Sequence, residues 1–90
     1  MAILLVTYDL NKQGQDYADF YKFLKKYPYA RLSESSYAIS TNNSPSDIYN
    51  ALLPHIDKND RLYIITLSLP YAGFGLTEVN DWLTANLKLQ

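Results

Sequence analysis

Asp9 is where chemistry could begin in this chain. It closes the apolar run Ala2-Ile3-Leu4-Leu5-Val6-Thr7-Tyr8 and opens Leu10-Asn11-Lys12-Gln13-Gly14. Two roles are open to it: an acid that starts a turn, or a strand-end carboxylate that holds a divalent cation. One carboxylate at a strand end makes a poor site alone, but Mg²⁺ takes only one or two protein carboxylates and fills its remaining positions with water and phosphate oxygens, so a twofold axis beside Asp9 would supply all that is needed. Nine tyrosines add a second motif. Lys22, Lys25, Lys26, Tyr27, Tyr29 and Arg31 set aromatic rings beside cations, a combination that can stack on bases and meet phosphates. The three lysines also fit the solvated side and negative end of a helix, where no ligand is needed.

Other chemistries are excluded or weak. His55 is the single histidine and there is no cysteine, so thiolate zinc sites and disulfides are absent and His55 reads as a surface residue. No Gly-x-Ser-x-Gly elbow and no Gly-x-x-x-x-Gly-Lys loop occurs, which removes serine hydrolases of that type and P-loop nucleotide binding. With 8 basic and 9 acidic residues the net charge is −1, so a nucleic-acid surface would have to be local. The start of the chain has no basic region ahead of its short apolar run, which is read as a cytoplasmic protein with no membrane partner.

The scaffold around Asp9 can be read from the pattern of the whole chain. At 90 residues and 48% hydrophobic, the chain is one domain over residues 1–90, small enough that self-association would help its core. Residues 2–8 read as a strand buried on both faces. Asp16 can cap a helix carrying Tyr17, Phe20, Tyr21, Leu24 and Tyr27, which Pro28 stops. Ala30–Glu34 and Tyr37–Thr41 form a hairpin. Ser44-Pro45-Ser46-Asp47 begins a second helix, with Ile48, Ala51 and Leu52 inward and Pro54 at its end. Asp57-Lys58-Asn59-Asp60 is a turn, and Arg61–Leu67 is the strongest strand. Thr77-Glu78 opens a last helix, expected over residues 77–88, with Val79, Trp82, Leu83 and Leu87 on one side. Trp82 reads as packing before partner anchor. This order is an α+β, ferredoxin-like βαββαβ sandwich with an added C-terminal helix. Both crossover helices fall on one face of its sheet, and the other face needs a second copy or the last helix to cover it.

The words Leu5-Val6-Thr7-Tyr8-Asp9, Ser36-Tyr37-Ala38-Ile39 and Asp60-Arg61-Leu62-Tyr63-Ile64 resemble the small CRISPR-associated endonuclease of the spacer-acquisition complex and its stand-alone relatives, the virulence-associated protein D-like superfamily. The resemblance runs over residues 2–67. It implies a ferredoxin-like homodimer that processes RNA or DNA, in which Asp9 faces its symmetry mate and the two hold Mg²⁺ or Mn²⁺. It also implies a catalytic Tyr8-Asp9 pair, and Arg31 and Tyr37 on the second and third strands as residues that matter for nucleic-acid cleavage. Lys12 stands in the loop where the nucleases carry several arginines. The continuation through Pro70-Tyr71-Ala72-Gly73-Phe74-Gly75 into a helix departs from the acquisition protein, whose final strand crosses to its partner. The rival expectation is a non-catalytic interaction or nucleic-acid-binding module on the same dimeric fold.

Overall fold

The computed structural model describes residues 1–12 and 16–89. Part of the turn expected after Asp9, residues 13–15, lies outside them. The elements are β1 (Ala2–Asp9), α1 (Ala18–Leu24), β2 (Tyr29–Ser33), β3 (Ser36–Thr41), α2 (Pro45–Leu52), β4 (Arg61–Leu67) and α3 (Thr77–Asn86), with a 3-10 turn over Leu53–His55. The four strands form one antiparallel sheet in the order β2-β3-β1-β4, which is the ferredoxin-like arrangement. β1 is internal, and β2 and β4 are the edges.

Alternation along β1 sorts its side chains onto two faces. Leu4, Val6 and Tyr8 join Phe20 and Leu24 of α1, Tyr37 and Ile39 of β3, and Ile48 and Leu52 of α2 in the main core. On the opposite face Ile3 and Ala38 pack with Leu83 and Leu87, so α3 covers part of its own sheet. Val79 and Trp82 border this second cluster, which makes Trp82 a packing residue here. The C-terminal end is tied down where the Leu69 amide donates to the Lys88 carbonyl at 2.7 Å.

Helix boundaries obey local chemistry. At α2 the Ser44 hydroxyl accepts from the Asp47 amide, the Asp47 carboxylate accepts from the Ser44 amide, and Pro45 occupies the first turn. This is a complete capping box. α1 is shorter than its apolar spacing predicts: Asp16 accepts from the Ala18 amide at 2.9 Å, but the helix ends at Leu24 and the chain turns through Lys25–Tyr27 before Pro28. α3 ends at Asn86, because Leu87 is already extended.

Candidate functional site

Asp9 stands at the last position of β1, exposed, on the face that α3 only partly covers. Among the described residues its carboxylate takes part in no ion pair; the one such pair joins Lys12 Nζ to Asp57 at 3.3 Å. Arg61 is its register partner across the β1–β4 ladder, yet the Arg61 guanidinium donates to the carbonyls of Asn59 and Asp60 at 3.5 and 3.3 Å. Beside Asp9 on the same face, Tyr63 and Ile65 of β4 are 62% and 50% exposed. No group of three or more Asp, Glu, His or Cys side chains gathers to form a metal cage among the described residues.

Tyr8 points the other way, as its neighbour in a strand must. Its ring lies 4.9 Å from Phe20 and 5.9 Å from Tyr21, edge-on to both, and its hydroxyl donates to the Glu34 carbonyl at 3.1 Å. Burial, followed by the neighbouring Tyr21, pushes the phenol well above its usual range, so it stays protonated. Arg31 reaches the same carbonyl: its Nη2 donates to Glu34 at 3.3 Å and its Nε to Ser33 at 3.2 Å. The guanidinium lies 5.6 Å from the centre of the Tyr37 ring, which is itself 1% exposed.

The five expected site residues therefore fall into three places at one end of the sheet. Tyr8, Arg31 and Tyr37 meet around the β2–β3 turn on the helix side. Asp9 occupies the opposite face. Lys12 projects beyond β1, half-exposed and paired with Asp57. Lys22, Lys25 and Lys26 of the expected aromatic and basic cluster stay on α1 and its exit: Lys26 lies 5.5 Å from the Phe23 ring, and Tyr27 accepts from the Asn43 side chain at 3.4 Å. His55 lies partly buried in the 3-10 turn.

One residue at this end is not visible as a site residue in the sequence. Asp60 is 7% exposed and accepts from the Asn11 amide at 2.7 Å, the Asp57 amide at 2.8 Å and the Tyr17 hydroxyl at 2.8 Å. Burial opposes the charge on this carboxylate, but the donors outweigh burial and hold its pKa below the ordinary value. The signal that could have found it is an acid set between a turn and the strongest apolar strand, a place where a charge must be paired or hydrogen-bonded.

Residues 1–71 match the family model of the CRISPR associated protein Cas2. The chain belongs to the Cas2 family. The matched stretch contains the whole sheet, α1, α2 and every residue of the end just described. α3 lies beyond it, so the helix on the second face is an addition to the part that carries Cas2 membership. Comparison with solved structures returned no match. Among the described residues no helix is long and apolar enough to cross a membrane.

Proposed function

We propose that this Cas2-family chain is a metal-dependent endonuclease that acts on RNA or DNA as a homodimer, with Asp9 of each copy holding a shared Mg²⁺ or Mn²⁺. The observation that carries this reading is the placement of Asp9: an exposed carboxylate outside any ion pair among the described residues, next to the exposed Tyr63 and Ile65. An isologous contact through that apolar patch would bring two Asp9 side chains to one twofold axis. One carboxylate from each copy meets the demand of Mg²⁺ for one or two protein carboxylates in full, where a single chain offers the minimum.

When bound, the cation would polarise the phosphodiester and lower the pKa of an attacking water. The chain's own residues have simpler tasks. Asp9 supplies anionic oxygen. Lys12 can exchange Asp57 for a phosphate, since its ammonium is half-exposed. Arg31 has donors left after its two carbonyl bonds, and the buried Tyr37 ring supports it from below rather than stacking on a base. Tyr8 serves by position: its protonated hydroxyl fixes the β2–β3 turn against the end of β1.

The purified protein should cleave RNA or DNA when Mg²⁺ or Mn²⁺ is present, and EDTA should stop it. Asp9→Asn keeps the size and one acceptor oxygen but loses the charge, so cleavage should fall to background while the thermal unfolding midpoint holds. Asp19→Asn, at an exposed position of α1, is the control and should cleave as the parent does. Full cleavage by Asp9→Asn would rule this site out. A parent that cleaves nothing across metals and substrates would favour the interaction module, a reading supported by the existing carbonyl and carboxylate partners of Arg31 and Lys12.

A further inference from the structure

The buried Asp60 carboxylate has more partners than a turn needs. Two of its donors flank the β1–α1 connection: the Asn11 amide comes two residues after Asp9, and the Tyr17 hydroxyl comes from the last residue before α1. The third, the Asp57 amide, belongs to the turn that leads into β4. Further bonds surround this centre. Tyr17 accepts from the Lys12 amide at 3.2 Å, and the Asn11 side chain donates to the carbonyls of Asn59 and Asp9 at 3.4 and 3.5 Å. The Lys12–Asp57 ion pair closes the outside.

We propose that Asp60 is the positioning residue of the Asp9 site: its carboxylate clamps the segment after β1 to the start of β4 and so sets how the chain leaves Asp9 and where Lys12 stands beside it. The proposal rests on the reading of Asp9 as the metal-bearing carboxylate, but the clamp is measurable without it. β1 is already held by its neighbours, by β3 as far as Thr7 and by β4 as far as Asp9. Leu10, Asn11 and Lys12 have no ladder of their own, and Asp60 supplies the missing anchor. Asparagine cannot replace it, because its amide nitrogen would face donors where the carboxylate presents acceptors.

The test uses the full chain as parent, Asp60→Asn and Tyr17→Phe, with amide hydrogen exchange and paramagnetic broadening by Mn²⁺ read residue by residue. In Asp60→Asn the Asn11 amide should exchange at least about tenfold faster while Leu4 and Ile39 stay protected, and Mn²⁺ broadening around Asp9 should need about tenfold more metal. Tyr17→Phe removes one donor to Asp60 and the acceptor of the Lys12 amide but keeps the ring and the Asn11 and Asp57 bonds to the carboxylate, so it should shift both readouts in the same direction by less; it also decides the matter if Asp60→Asn does not fold. Unchanged Asn11 exchange overturns the proposal. So does equal acceleration of Asn11, Leu4 and Ile39, which would make Asp60 a general scaffold residue. A parent in which Mn²⁺ broadens nothing near Asp9 defeats the metal reading instead, and the clamp then stands or falls on Asn11 exchange alone.

Discussion

Neighbouring residues 8 and 9 do opposite things because a strand sends consecutive side chains to opposite faces. Tyr8 is sealed among aromatics with its hydroxyl on a carbonyl, while Asp9 is left to solvent. The same end of the sheet sets the pH limits of the fold. Asp57, through the Asn59 amide and the Lys12 ammonium, and Asp60, through donors that outweigh its burial, both titrate below their ordinary value. The unfolded chain takes up those protons first. The stability they contribute is complete above the unfolded value of 3.8 and is lost as pH falls through the lower native values. Tyr8 acts in reverse: burial raises it, so its contribution is complete below 10.0 and declines as pH rises beyond that. Tyr17 adds to the alkaline side, raised first by burial and then by its bond to Asp60. Urea unfolding across pH should therefore show a plateau with losses on both sides, and Asp60→Asn should flatten the acid limb and soften the alkaline limb only by the part that Tyr17 owes to Asp60. An acid limb identical in the variant would assign it to other carboxylates.

At the scale of elements, the sequence was most informative where one local rule decides the outcome. Ser44, Pro45 and Asp47 announce the start of α2, and the structure completes both halves of the box. Arg61–Leu67 emerges as β4 with the expected limits. α1 was less legible, because its apolar spacing continues to Tyr27 while the helix ends at Leu24; Tyr27 still packs against the core, from the turn that precedes Pro28. The fate of the second face was also open. Periodicity shows that α3 has an apolar side but cannot say which sheet it covers, and only the meeting of Leu83 and Leu87 with Ile3 and Ala38 settles that. Asp60 was hidden for a related reason: three of its bonds come from residues 3, 43 and 49 positions away. Two substitutions test α2. Ser44→Ala should cost about 1 kcal/mol by removing the cap, and Leu52→Ala, in the main core, about 2 to 5 kcal/mol. Denaturant midpoints that rank these two in the opposite order would mean that the cap contributes more than the core at α2.

At the scale of the whole molecule, the question is what the remaining second face does. α3 covers the part over Ile3 and Ala38, leaving Tyr63 and Ile65 of the edge strand β4 beside Asp9. Scattered exposed apolar residues need no explanation, but two large ones in alternate positions on an edge strand are a template for association. A domain of this size gains from burying them against a second copy. Light scattering at micromolar concentration should therefore give about twice the 10.3 kDa chain mass. Ile65→Arg places a charge at the middle of the proposed contact, where a twofold axis would bring the same charge in from the partner, so the variant should be a monomer. Its unfolding at low concentration should stay close to that of the parent, because Ile65 is half-exposed within one chain and contributes little to its core. The decisive comparison joins association to chemistry: if two Asp9 carboxylates must share one cation, the Ile65→Arg monomer should lose Mn²⁺ binding although its own Asp9 is intact. A monomer that still binds Mn²⁺ at Asp9 with parental affinity would separate the two and leave the dimer without a part in the metal site.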